Sequence, residues 1–204
     1  MEFLLNTNVQ FYIAAYLVGS IPFGLLLAKF FAGVNIKESG SQSIGATNVL
    51  RVVKETNPAL AKKLGATTLA LDALKGILVL AAAIFMQMPE STLWAIAVLA
   101  VVGHCFSVYL MFEGGKGVAT ALGVLAVMLP VETAIAFGVW FIAAKTLKIS
   151  SLSSLIALVA LVVASFFIHA ETPHAPIIII AFIIVYKHIP NIIRMIQGEE
   201  KKVI

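Results

Sequence analysis

Three short polar segments in this chain carry side chains that could do chemistry on an anion. The first is Ser39-Gly-Ser-Gln-Ser-Ile-Gly-Ala-Thr-Asn-Val-Leu-Arg51, which offers Ser39, Ser41, Ser43, Thr47, Asn48 and Arg51. A guanidinium can grip phosphate with two parallel hydrogen bonds, and hydroxyls with an amide can complete the shell. The plainer reading is a Ser/Gly-rich loop whose Arg51 only marks the cytoplasmic side. The crowding of Gly, Thr, Asn and Arg around the apolar Val49-Leu50 pair argues against it.

The second segment, Glu113-Gly-Gly-Lys-Gly117, stands directly before an apolar stretch. Its glycines let the backbone turn tightly and aim N–H groups at one spot. The helix that follows adds its positive end, and Lys116 adds a charge, an arrangement suited to phosphate or another oxyanion. The alternative is a flexible turn with one lysine. A nucleotide-hydrolysing P-loop is excluded, because Leu110 stands where its first glycine belongs and Gly117 where it needs Ser or Thr.

The third segment is Lys187-His-Ile-Pro-Asn191, where His188 and Asn191 share a helix face if the turn survives Pro190. His188 could serve as a general base or as a phosphate ligand. Two further features lie inside apolar runs. His104 is expected to face the protein interior and hydrogen-bond to a neighbouring helix. Asp72 and Lys75 read equally as a functional pair and as a mutually neutralised structural one. Glu199 and Glu200 read as solvated, and no Cys/His cluster has metal-ligand spacing.

The elements that must position these groups are membrane helices. The 204 residues are 61% hydrophobic and 12% charged, with a mean hydropathy of +1.03. Soluble domains carry about twice that charged fraction. The expected fold is an all-α integral membrane protein, a single polytopic domain over 1–204, with no nucleic-acid partner. Crossing a hydrocarbon core of about 30 Å takes roughly 20 apolar residues. Spans are predicted at 9–32, 65–87, 92–112, 118–130, 131–147, 150–168 and 176–196.

Charge decides the split of 118–147 at Leu129-Pro130-Val131-Glu132. Lys and Arg gather on the cytoplasmic side of a membrane. With the split, all 14 of them fall on or nearest one face. Without it, Lys145 and Lys148 would move outside together with the C-terminal lysines. Seven transmembrane helices follow, with the N-terminus outside and the C-terminus cytoplasmic. The same face gathers the loop 33–64, the connection 112–118 and the tail from Lys187. The first apolar run reads as a retained span rather than a cleaved leader. Cys105, the lone cysteine, reads as a small buried hydrophobe.

Gly19-Ser-Ile-Pro-Phe-Gly24, Ser39 to Arg51, Gly103-His-Cys-Phe-Ser-Val-Tyr109 running into Gly114-Gly-Lys-Gly-Val-Ala-Thr120, and Lys187-His-Ile-Pro-Asn191 follow in a telling order. Over essentially the whole chain they resemble the bacterial acyl-phosphate:glycerol-3-phosphate acyltransferases, the PlsY family. The resemblance implies a seven-helix enzyme of the bacterial inner membrane with its site facing the cytoplasm. It would move a fatty acyl group from acyl phosphate to the 1-hydroxyl of glycerol 3-phosphate, giving lysophosphatidate and inorganic phosphate. On matching positions, Ser41, Arg51, Lys116, His188 and Asn191 would be catalytic. Ser39, Thr47, Asn48, Gly114, Gly115 and Gly117 would bind substrate, with Glu200 as the trailing acid of the third motif.

Two departures bear on that expectation. The family reads Ser-Gly-Ser-Gly-Asn where this chain has Ser39-Gly-Ser-Gln42-Ser43, and proline where Ser107 stands. The first affects any backbone with φ > 0 at position 42 and any amide contact at 43. An active enzyme is expected nonetheless. Acyl phosphate is an activated mixed anhydride, so no metal or cofactor is expected, and direct transfer is favoured over an acyl-Ser41 intermediate. Ser41, His188 and a substrate phosphate oxygen stay open as the proton acceptor. The competing class is a transporter of a small phosphorylated anion. The lack of an internal repeat and the gathering of the polar motifs on one face weigh against it.

Overall fold

The computed structural model describes residues 2–202, and every regular element among them is helical. The chain forms two compact units, one ending at Val124 and one beginning at Leu125. The first holds α1 (Glu2–Leu5), α2 (Thr7–Ser20), α3 (Phe23–Ala32), α4 (Ala46–Lys54), α5 (Pro58–Phe85), α6 (Glu90–Cys105), a 3₁₀ turn (Val108–Leu110) and the start of α7 (Val118–Met128). The second holds the end of α7, then α8 (Pro130–Leu147), α9 (Ser150–Ile168), α10 (His174–Lys187) and α11 (Ile189–Ile196).

The helix boundaries have local causes. Pro22 lacks an amide proton and cannot continue a helical ladder, so the predicted span 9–32 is two helices, α2 and α3. Asn57 caps α5 by accepting from the Leu60 amide at 3.0 Å, with Pro58 in the first position. That cap moves the start of the second span from 65 back to Pro58. The segment 33–64 is therefore a loop only in part, since α4 and the first turns of α5 fold from it.

The third span ends earlier than 112, because the extended backbone at Ser107 breaks α6 from the 3₁₀ turn. The predicted split of 118–147 is present, but at Leu129, so Pro130 opens α8 rather than ending the preceding span. The last span, predicted straight over 176–196, is bent by 54° between α10 and α11. Pro190 explains the bend, since a proline ring crowds the carbonyl four residues back, here that of Tyr186.

Five stretches among the described residues are long and apolar enough to cross a bilayer, and the bent pair α10–α11 makes a sixth. At 11 residues, α7 is shorter; at 1.5 Å per residue it spans about 16 Å. In the first unit, α2 and α6 cross almost backbone to backbone. A Cβ on Gly19 would stand 2.4 Å from the Ala100 carbonyl oxygen, and one on Gly103 would stand 2.3 Å from that of Tyr16. Such small-residue crossings are how membrane helices approach closely without a hydrophobic driving force between them.

Candidate active site

The segment from Ser39 to Arg51 is half loop and half helix. Its polar groups are organised by one side chain, Asn48, which is 1% exposed. The Asn48 amide nitrogen donates to the carbonyls of Ile36 (2.9 Å), Ser39 (3.2 Å) and Ser43 (2.9 Å). Its oxygen accepts from the Ser41 backbone amide at 2.8 Å. The amide of Asn48 is thus spent on folding the loop, and Asn48 supports the site by holding Ser41. Beneath it, Ile36, Ile44, Val49 and Val53 form a fully buried base against which Leu110 of the 3₁₀ turn packs.

Two groups are left over by this arrangement. Neither the Ser41 hydroxyl nor the Arg51 guanidinium has a hydrogen bond or ion pair among the described residues. Thr47 and Asn48 lie four and three residues before Arg51 on α4, so all three share one face of that helix.

Gln42 has φ +57, the left-handed conformation that the replaced glycine would adopt without cost. The loop therefore keeps its shape with glutamine and carries the strain. Gln42→Gly is expected to stabilise the first unit by about 1 kcal/mol, read as a rise in thermal midpoint in detergent. No rise would mean that the side chain of Gln42 offsets its backbone strain. At position 43 the family's amide is replaced by a hydroxyl that accepts from the Gly45 amide at 3.4 Å. Ser107, fully buried, donates to the Ser20 carbonyl at 2.6 Å, a bond that proline could not make.

The turn 113–117 folds back on the end of α6. The Gly114 amide donates to the Cys105 carbonyl at 3.1 Å and the Gly115 amide to the His104 carbonyl at 2.9 Å. Two of the amides expected to face an anion are therefore occupied by backbone. The first amides of α7 are left without intrahelical partners, and Lys116 brings a positive charge to the same turn. Gly117, at φ +83, lets the chain enter α7 there. Lys37 reaches Glu113 at 3.0 Å, which ties this turn to the first segment.

Behind the turn, the expected helix-to-helix contact of His104 is made by Lys75. Lys75 Nζ lies 2.8 Å from Asp72 Oδ1, 2.8 Å from His104 Nδ1 and 3.0 Å from the Ile21 carbonyl oxygen. The Asp72–Lys75 pair is thus one end of a brace joining α5, α6 and the α2–α3 break. Sequence spacing showed the pair but not its partners. Cys105 is buried, as expected of a small hydrophobe.

In the second unit the turn survives Pro190, for the Asn191 and Ile192 amides both donate to the His188 carbonyl at 2.9 Å. His188 and Asn191 are 1% and 3% exposed. His188 Nδ1 lies 2.7 Å from the Ile184 carbonyl, which assigns its proton to Nδ1 and leaves Nε2 the acceptor in the neutral ring. Asn191 Oδ1 is buried without a hydrogen-bond partner among the described residues.

Glu200, which the residues alone suggested was solvated, accepts from Ser151 (2.6 Å), Asn191 (2.6 Å) and Arg194 (2.7 Å). Partial burial works to raise its pKa, but these three hydrogen bonds and the charge of Arg194 outweigh it and hold the pKa below the usual 4.5. A depressed carboxylate stabilises the fold above its unfolded pKa and loses that contribution as pH falls through the folded value. Hydrogen exchange in 197–202 should accordingly rise on acidification below about 4.5. Glu200→Gln should show the same faster exchange at neutral pH. Unchanged exchange in that variant would remove Glu200 as the clasp of the tail.

The family profile described as Glycerol-3-phosphate acyltransferase matches residues 9–198. A protein of that name from Sulfurimonas denitrificans is 68% identical over 204 residues, covering 100% of both chains. One from Aliarcobacter butzleri is 62% identical, again over 100% of both. A crystal structure of PlsY, an integral membrane glycerol 3-phosphate acyltransferase in its glycerol 3-phosphate form, superposes with a TM-score of 0.85 at 34% identity, covering 97% of this chain and 96% of that one. Its lysophosphatidic acid form gives 0.81 at 33% identity, covering 97% and 95%. By full-length sequence and by fold, the chain belongs to the membrane-embedded glycerol-3-phosphate acyltransferases, the PlsY family.

Proposed function

We propose that the chain uses acyl phosphate as its donor and works at the cytoplasmic face of the bacterial inner membrane, within one polytopic domain of seven crossings. Family membership makes it an acyltransferase of phospholipid synthesis with glycerol 3-phosphate as acceptor. For seven crossings, α7 counts beside the six longer stretches. The basic residues then support an outside N-terminus and a cytoplasmic C-terminus.

The observation that carries the reading is the unpaired Ser41 hydroxyl and Arg51 guanidinium, held by a loop whose organising amide is fully used. A guanidinium with no protein counter-ion among the described residues suits an anionic substrate. In this assignment Lys116 and the first amides of α7 neutralise the donor's phosphate. Arg51, with Ser41, Ser39 and Thr47 nearby in sequence, takes an anionic group of the second substrate. In the second unit, the buried Asn191 Oδ1 is suited to accept from a hydroxyl, and the family resemblance makes His188 a candidate proton acceptor. The 1-hydroxyl attacks the acyl carbonyl carbon, the C–O bond to phosphate breaks, and the hydroxyl proton leaves with a base or with the departing phosphate. Positioning and charge stabilisation supply the acceleration.

The test is purified protein in detergent with acyl phosphate and glycerol 3-phosphate. Phosphate release that needs both substrates is expected, lost in Ser41→Ala and reduced but measurable in Lys116→Ala. Release that is independent of glycerol 3-phosphate, or absent from a folded sample, would overturn the reading.

A further inference from the structure

The turn that carries Lys116 rests on His104 twice. The His104 carbonyl holds the Gly115 amide at 2.9 Å. Its ring fills the place where a side chain at 115 would go: a Cβ there would stand 2.2 Å from Nε2, 2.9 Å from Cε1 and 3.1 Å from Cδ2. His104 is 3% exposed, so its ring is fixed by its neighbours. Those neighbours are specific. The Lys75 ammonium has three protons and three acceptors around it, Asp72 Oδ1, the Ile21 carbonyl and His104 Nδ1. An imidazole nitrogen that accepts from an ammonium carries no proton of its own. Nε2 is the ring atom at the edge beneath Gly115.

From this geometry we infer that His104 is a positioning residue for acyl transfer: clamped by Lys75 and Asp72, its ring sets the height of the Gly114–Gly117 turn and so the place of Lys116 against the donor's phosphate. The inference rests on the proposal that this turn takes the donor. It adds residues that lie far apart in sequence and outside the three polar segments. Misplacing a catalytic group by a fraction of its working distance costs rate without unfolding anything.

His104→Asn keeps an acceptor near the Nδ1 position for Lys75 but removes the ring edge under Gly115. The expected result is a rise of about tenfold in the KM for acyl phosphate, with the KM for glycerol 3-phosphate unchanged within about twofold. Competitive inhibition by inorganic phosphate should weaken in parallel, and His104→Gln, which reaches toward Gly115, should recover part of the loss. Gly115→Ala probes the same contact from the other side and should give the same donor-specific signature, so the outcome does not hang on one variant folding. Lys116→Ala is the reference. A raised donor KM in Lys116→Ala, with none in His104→Asn or Gly115→Ala, would overturn the inference alone. An unchanged donor KM in Lys116→Ala would overturn the donor reading of the turn, and the inference with it. A fall in kcat with both KM values unchanged would mark His104 as merely structural and also overturn the inference.

Discussion

Arg51→Lys is expected to lower kcat/KM about a hundredfold while leaving the thermal midpoint in detergent unchanged. The two halves of that result have separate causes. Arg51 holds nothing in the protein: its guanidinium has no hydrogen bond or ion pair among the described residues. The loop beside it is fastened by Asn48 instead. The packing of α4 comes from Val49, Val52 and Val53 on its buried side. Removing the fork should therefore cost no fold stability. A lysine restores the charge but not the paired, planar donors that match a phosphate. Steady-state phosphate release with each substrate varied reads the loss. An equally active lysine variant would mean that charge alone suffices at this position, and a lowered midpoint would mean that Arg51 is structural.

Lys75→Met should have the largest effect on stability. It leaves the Asp72 carboxylate, 2% exposed, facing the interior without its cation. Stranding one member of a buried pair costs about 3–5 kcal/mol. The same change also removes the donors to His104 and to the Ile21 carbonyl. Thermal or denaturant unfolding in detergent checks this, and the double variant Asp72→Asn/Lys75→Met should recover a substantial part of the loss. If the double were no more stable than the single, the ion pair would not be the source of the effect.

Much of the helical plan was legible because membrane helices announce themselves by length and apolarity. The stretch Ser150–Ile168 is bounded as expected, and the split that charge called for falls at Leu129, within the turn 129–132. Boundaries set by local chemistry were harder to read. Lys62 and Lys63 disguise the first turns of α5, although the Asn57-Pro58 cap and start signal was present. Pro22 and Pro190 lie within apolar runs that hydropathy alone treats as continuous. The three polar segments were visible as composition, but which of their groups are spent and which are left over was not. That depends on Asn48 reaching back to Ile36 and on Gly114 and Gly115 pairing with Cys105 and His104. The brace through Lys75 joins residues 29 and 54 positions apart, and no periodicity encodes it.

The crossing of α2 and α6 has an evolutionary consequence. Ordinary core contacts tolerate drift, because a larger residue on one side can be matched by a smaller one opposite. Here the atoms opposing Gly19 belong to the Ala100 main chain, and those opposing Gly103 to the main chain of Tyr16, Ser20 and Gly19. Main chain cannot be trimmed by mutation. No second-site substitution can then rescue a side chain at either glycine, and the two positions offer lineages of this protein no mutational detour.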